Sequence, residues 1–470
     1  MVFSSYIFIF WFLPLFLVCY ALTPARYRAT CLTAASYLFY GWWRPEYCLL
    51  LAAVTLITYY AGKRIAKASS AKRKSAWLVV SLVFTLGMLG LFKYASMLSL
   101  WADNILGLFI SPAAGSEHVV PILDIVLPIG ISFFTFQAVS YVVDLYRGDA
   151  EEAIGLISYA SYISMFPQLI AGPIVRYQWI ADELRVRTHT PEKCFLGAQF
   201  LILGLAKKVL LSDCFALAVP AAFGVEQPGF LAAWVGVMAY TLQIYFDFSG
   251  YSDMAVGLGL LIGFNFPQNF DSPYKSASIT EFWRRWHMSL SSWLRGYLYI
   301  PLGGNRLGRV RTYVNLMLVM LLGGLWHGAS IMFVLWGLWH GILLATERAL
   351  GDRHPIGRLP RPVAVLVTTL MVIFGWLLFR AEDLGQAAAI FRAMWLPGYG
   401  SPINQGLERV HSIILIMIPV CMFICWFSPN SWQRTSRLTI GQALAYGILL
   451  CLAIAAVLAT KASPFLYFQF

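Results

Sequence analysis

Residues 47–92 read YCLLLAAVTLITYYAGKRIAKASSAKRKSAWLVVSLVFTLGMLGLF. Two apolar runs, Tyr47 to Gly62 and Ala76 to Phe92, flank a short stretch that carries Lys63, Arg64, Lys67, Lys72, Arg73 and Lys74 and no acid. A bilayer core about 30 Å thick takes about 20 apolar residues of helix, and Lys and Arg collect in short cytoplasmic loops. The segment therefore reads as two membrane spans joined on the cytoplasmic side. The chain before it fits this orientation. The run Ser5 to Leu22 has no basic residue ahead of it and Arg26 and Arg28 behind it, which is the wrong polarity for a cleaved signal peptide and suits a first span with an exterior N-terminus. A second span, about Thr30 to Trp43, then leads outward.

The same pattern continues along the 470 residues, of which 59% are hydrophobic and 12% charged; a soluble domain is roughly 25% charged. At span length, the apolar runs amount to roughly eleven crossings. They are too long and too uniformly apolar for barrel strands, and in lipid every backbone polar group must be paired within its own segment. The expected fold is an all-α polytopic membrane protein, a single integral-membrane domain over 1–470. The net charge of +12 lies in short segments between spans, which the positive-inside rule explains without nucleic acid. The eight cysteines are scattered, with no Cys-x-x-Cys pair, so neither a disulfide framework nor a metal site is expected.

The middle of the chain is less regular. Pro121, Pro128 and Gly130 interrupt the run Val119 to Tyr146, and Pro167, Gly172 and Pro173 interrupt the run Ala153 to Ile174. Backbone groups freed at such breaks are tolerated only against protein or a water-filled cavity; kinked helices and re-entrant segments lining a chamber both fit. The segment Trp101 to His118 is less apolar and suits the interface or the exterior. Further spans are expected near Phe195 to Gly224, Phe230 to Phe264, Val363 to Phe379, Ile413 to Phe427 and Ile440 to Thr460.

Chemistry-bearing residues concentrate between Ser278 and Arg295. Ser278 and Glu281 have capping-box spacing, and at helical spacing Trp283, His287, Leu290 and Leu294 share one face, with Trp286 and Trp293 at its margins. This predicts one amphipathic helix lying at the membrane surface and ending before Gly303-Gly304. Between Glu281 and Arg311 stand six arginines, Arg284, Arg285, Arg295, Arg306, Arg309 and Arg311. They suit a cytoplasmic loop facing anionic lipid, or a mouth whose guanidinium forks hold donor phosphates.

The next span, Tyr313 to Trp326, ends in Gly323-Gly324-Leu325-Trp326-His327-Gly328. If Arg311 marks the cytoplasmic surface, helix rise carries His327 roughly 20 Å inward. An ionisable residue at such depth is a functional-site hypothesis by default, and a neutral imidazole is the form a general base needs. His340, in the echo Leu338-Trp339-His340-Gly341 within the helix Ile331 to Ala349, meets the same depth argument. Neither His-x-x-x-His nor a supporting carboxylate pattern accompanies the pair, so metal binding is not expected. Asp247 and Asp253, in Tyr245-Phe246-Asp247-Phe248-Ser249-Gly250-Tyr251-Ser252-Asp253, fit an ion or proton site, a chamber wall or a structural polar network.

Taken together, Trp283-Arg284-Arg285-Trp286-His287-x-Ser289-Leu290 followed forty residues later by Gly324-Leu325-Trp326-His327-Gly328 resembles the membrane-bound O-acyltransferase family. Phe246 to Ala255, Leu127-Pro128-Ile129-Gly130-Ile131-Ser132-Phe133 and Ile170-Ala171-Gly172-Pro173 resemble its bacterial branch, most of all the alginate-acetylating members. The likeness runs from Met1 to about Glu382, with the motif-bearing core over 119–350. It implies a ring of helices around a thinned membrane centre with a funnel to each side. It also implies that His327 is the essential histidine and His287 the second motif histidine, while His340 matches a histidine common in the bacterial branch, without the same claim to catalysis. By the same likeness, acetyl-CoA is the donor at the cytoplasmic face, no cofactor is bound, and periplasmic partner proteins finish transfer to a polysaccharide such as alginate or cellulose. Arg284, Arg285, Arg295 and Arg306 are the expected donor-binding set, and Trp283, Trp286, Trp326, Asp247 and Asp253 the expected chamber lining. The expected activity is acetyl transfer across a bacterial inner membrane. A transporter of donor or ion, and a scaffold recruiting periplasmic enzymes, are the competing classes.

Overall fold

The structure is a computed structural model that describes residues 1–110, 117–398, 402–435, 439–459 and 465–466. Its main helices are α1 (Phe8–Leu22), α2 (Arg28–Gly41), α3 (Tyr47–Lys67), α4 (Ala71–Leu106), α5 (Ile131–Arg147), α6 (Leu156–Ser164), α7 (Pro191–Phe223) and α8 (Phe230–Leu261). There follow α9 (Ile279–Arg285), α10 (Met288–Leu294), α11 (Arg309–His327), α12 (Ile331–Leu350), α13 (Arg361–Arg380), α14 (Ser412–Phe427) and α15 (Ile440–Ala459). No strand occurs among the described residues. Among the described residues six helices, α3, α4, α7, α8, α13 and α15, are long and apolar enough to cross a membrane, and α1 and α14 are shorter apolar helices. The other expected crossings fall on helices that are shorter (α2, α5) or more polar (α11, α12). Thr460 and residues 111–116 of the segment Trp101 to His118 lie outside the described residues.

α8 forms the centre, packed along α7 and touched by α13 and α14. It is buried over most of its length because glycines let α7 approach. A Cβ at Gly204 would stand 2.5 Å from the Gly250 carbonyl oxygen, and one at Gly257 2.6 Å from that of Gly197. α3, α4 and α5 pack together on one side, and α11, α12 and α13 on the other. The ring closes where α4 meets the end of α11. The Tyr94 hydroxyl donates to the Leu325 carbonyl at 2.7 Å, and the Lys93 ammonium donates to the Trp326 carbonyl.

Two faces can be told apart. Lys67 ends α3 and Ala71 starts α4, so the basic loop defines one face. Arg147, at the end of α5, donates to the Gly296 carbonyl at 3.1 Å, and Arg311 donates to the Leu302 carbonyl at 3.3 Å, which places the start of α11 on this basic face as well. Tyr47, at the other end of α3, donates to the Val126 carbonyl at 2.6 Å and puts the segment before α5 on the opposite face.

The fourth expected span stops too early at Phe92: the helix runs on to Leu106 and carries Lys93 into the interior. The expected surface helix from Ser278 is also different. Its start is as expected, since the Ser278 hydroxyl accepts from the Glu281 N–H at 3.0 Å, but Glu281 reaches back to the Ala277 amide and not to its own cap. Glu347 of α12 completes the cap, accepting from the amides of Ile279 and Thr280. The helix then breaks at His287, which sits at φ 45° and ψ 54°. Phe282, Trp286 and Leu290 are buried, so α9 and α10 form a folded-in pair instead of one amphipathic helix on the surface.

Candidate active site

α11 delivers His327 from the basic face. Eighteen helical rises from Arg309 amount to about 27 Å, deep within a core about 30 Å thick. The helix stays close to α12 because a Cβ at Gly324 would stand 2.2 Å from the Phe333 carbonyl oxygen, and one at Gly337 2.3 Å from that of Met320. Gly323 has no such constraint, its nearest neighbour being a Leu294 methyl at 3.5 Å. Of the glycine pair, Gly324 is the one the packing demands. Around His327 the rings of Trp326, Trp336 and Phe379 stand edge-on at 5.0 to 5.1 Å between centroids.

His327 lines two cavities. The first, about 340 Å³, opens toward the basic face and is lined by Trp283, Arg284, Arg295, Tyr299, Trp336 and Arg348 among others. Its shape is set by the kink between α9 and α10 and by the α11–α12 pair. The indole N–H groups of Trp283 and Trp336 have no acceptor among the described residues. The second cavity lies on the opposite side of His327, between Lys93, the segment Leu127 to Phe133, Ile170 and Trp326. The interruption at Pro128 and Gly130 thus makes a non-helical wall. Gly130 is required there twice over, by φ +77° and because a Cβ would stand 2.6 Å from the Leu169 carbonyl oxygen. The imidazole therefore meets a cavity on each side.

His287 lies behind Trp326, whose ring stands 6.1 Å from it by centroids, and lines neither cavity. Its left-handed backbone is one of two such non-glycine positions among the described residues, a strain of order 1–3 kcal/mol that persists only where surroundings impose it. Asn269 imposes it. The Asn269 carbonyl oxygen of the backbone accepts from the Met288 amide, and its side-chain oxygen accepts from His287 Nδ1 at 3.2 Å and from the Ser289 hydroxyl at 2.9 Å. The Asn269 Nδ2 donates to Ser252 at 3.0 Å, which fixes the amide's orientation. A carboxamide oxygen only accepts, so Nδ1 carries the proton and Nε2 the lone pair. Nε2 has no partner among the described residues.

The remaining expected site residues separate into groups. Trp283 and Trp326 line cavities with His327, as do Arg284 and Arg295. Arg285 does not: it pairs with Asp271 at 3.1 Å and Glu281 at 3.0 Å, and Glu281 also meets Arg361. Burial raises the Glu281 pKa, but the Ala277 amide and the guanidiniums of Arg285 and Arg361 outweigh it and hold the carboxyl below its usual range. Arg306 is exposed beyond the cavity. Trp286 lines neither cavity, because it packs among Phe270, Phe282 and Trp376. Asp247 and Asp253 stand away from both cavities, in a buried charge network: Asp247 pairs with Lys208 at 2.6 Å, and Asp253 with Lys207 at 2.6 Å and Ser431 at 2.6 Å. Both lysines sit in a π-helical stretch of α7, Lys207–Ser212. His340 is packed against Phe282, Trp283 and Trp336 on a wall shared with Gly375, outside both cavities. Sequence reasoning missed Lys93, Asn269 and Arg348. Only Lys93 gave a signal, as a lone cation at the end of an apolar run.

Known proteins resemble the chain along its length. The sequence profile of the membrane-bound O-acyltransferase family matches residues 150–355. The chain is 43% identical to the "probable alginate O-acetylase AlgI" of Pseudomonas putida, over all of both proteins. It is 48% identical to the protein of the same description from Pseudomonas aeruginosa, over 84% of this chain and 75% of that one. With the peptidoglycan O-acetyltransferase of Helicobacter pylori it shares 32% identity, over 100% of this chain and 98% of the relative.

Proposed function

The chain belongs to the membrane-bound O-acyltransferase family, and from that premise we propose that it passes acetyl groups from acetyl-CoA at the cytoplasmic face to a hydroxyl on the other side of a bacterial inner membrane, for O-acetylation of an exopolysaccharide. That it is a multi-pass membrane O-acyltransferase follows from the family; the acetyl donor, the sidedness, the inner membrane and the polymer are the proposal. The observation that carries it is His327 between two cavities that approach it from opposite faces.

In this reading the basic-face cavity takes the donor. Arg284, Arg295 and Arg348 stand at its rim, and guanidinium forks match phosphate oxygens. The thioester end reaches His327. His327 removes the proton of the acceptor hydroxyl as its oxygen bonds to the acyl carbon, and the carbonyl electron pair moves onto the carbonyl oxygen. The pair then returns, the carbon–sulfur bond breaks, and the thiolate takes the proton back from the imidazole. His287, held by Asn269 with Nε2 bare, positions Trp326 and the acyl group beside it. Periplasmic partner proteins would carry the acetyl group to the polymer. Alginate is favoured over cellulose because of the relatives' descriptions.

The test is the polymer itself. Exopolysaccharide from a strain lacking this chain is expected to lose its O-acetyl groups by mass analysis and to regain them on complementation. Unchanged acetylation would remove the proposal.

A further inference from the structure

The cavity on the far side of His327 has a wall that the transfer step leaves unused. It is lined by the first turn of α5, residues Ile131, Ser132 and Phe133, together with Gly130 and Lys93. α5 is 17 residues long, and the N-terminus of such a helix presents unpaired amides and the positive end of its dipole. The amides of Ile131, Phe133 and Phe134 turn back to the carbonyls of Pro128 and Gly130, which leaves the Ser132 amide as the first-turn donor without a backbone acceptor among the described residues. The Ser132 side chain, 8% exposed, lines the cavity and has no hydrogen-bond partner among the described residues. Lys93 is 9% exposed. Its ammonium has three donors, of which one reaches the Trp326 carbonyl, and no carboxylate pairs with it among the described residues. A buried lysine without an acid, an unpartnered hydroxyl and the free Ser132 amide of a helix N-terminus all face one small space.

We propose that this space is an anion pocket, which holds a negatively charged oxygen against Lys93, Ser132 and the first turn of α5, next to His327. The volume fits: the cavity measures about 40 Å³, and since a water occupies roughly 10–15 Å³ on this measure, the pocket admits a group the size of a carboxylate. Two sources supply such an oxygen. One is the acyl carbonyl oxygen as it takes up the electron pair during transfer. The other is a carboxylate on the acceptor. The inference rests on His327 as the base, yet the pocket is testable without turnover.

The probe is ¹³C-formate, titrated into the full-length protein in detergent and read by NMR line broadening. Wild type and His327→Ala are expected to broaden the formate signal alike. Ser132→Ala and Lys93→Met are expected to weaken binding about tenfold or more, as charge-assisted contacts are lost. Because Lys93→Met also removes a bond to α11, Ser132→Ala is the decisive variant. Formate binding that is absent from wild type, or unchanged in Ser132→Ala, overturns the pocket. Transfer by His327→Ala in the same preparations tests the base separately. The source is then read from Ser132→Ala kinetics on neutral and uronate oligosaccharides with the periplasmic partner proteins present. A lower kcat on both identifies the acyl oxygen, a higher KM for the uronate alone identifies the acceptor carboxylate, and no change on either overturns the assignment.

Discussion

His327→Ala is expected to abolish polymer acetylation while the protein is made and inserted as before. General-base removal costs about 10²- to 10⁴-fold, and here the imidazole also occupies the point where the two cavities meet. Insertion is spared because α11 is held to α12 by the close approach at Gly324 and Gly337 and to α4 by Lys93 and Tyr94. Acetyl content of the secreted polymer, with membrane levels from an immunoblot, checks both halves. His340→Ala is the matched control, since His340 stands in an aromatic box outside both cavities. Normal acetylation in His327→Ala, or equal loss in the two variants, contradicts the assignment.

The second large effect is on stability. Lys208 is buried and bridges two carboxylates, Asp247 at 2.6 Å and Asp213 at 2.9 Å. Lys208→Met therefore removes the ion pair of the buried Asp247 and that of the partly exposed Asp213, and breaking a buried pair from one side costs about 3–5 kcal/mol. Asp247→Asn is milder. It leaves Lys208 with Asp213, and the single amide oxygen still accepts from either Ser212 or the Leu466 amide, which bond different oxygens of the carboxylate. Thermal unfolding in detergent is expected to place Lys208→Met well below Asp247→Asn, with the latter closer to wild type. The reverse order would mean that the network does not zip α7 to α8 in this way. Because the network stands apart from both cavities, activity per folded molecule should survive in Asp247→Asn. That outcome also separates this account from a transporter whose ion site is Asp247 and Asp253.

Much of the architecture was legible in the sequence for a simple reason. Lipid forces each span to be written as a continuous apolar run, and the basic loop Lys63 to Lys74 orients the runs. The depth of His327 followed from counting helical rises from Arg311. What distinguished it from His340 was the family motif, because depth is the same for both and only packing decides which ring meets a cavity. Three features were missed, the first despite a signal. Lys93 was hidden by a span that appeared complete at Phe92, although the helix continues for another fourteen residues to Leu106. The break at His287 depends on Asn269, eighteen residues earlier, and no periodicity reports a left-handed histidine. The partners of Asp247 and Asp253 come from α7, about forty residues away, so two acids in an apolar run looked like a chamber wall before their lysines were in view. The arginines divided on the same principle: Arg285 has acids within reach and is consumed by them, whereas Arg284 and Arg295 face the cavity.

The central claim is that His327 takes part in bond exchange between a donor on the basic face and an acceptor on the other. Purified protein in sealed liposomes, given acetyl-labelled acetyl-CoA on the basic side alone and an acceptor oligosaccharide with its periplasmic partner proteins inside, tests it most directly. The account predicts acetylated oligosaccharide inside, free CoA outside, and neither with His327→Ala. Intact labelled acetyl-CoA inside, or thioester cleavage that persists in His327→Ala, would contradict it.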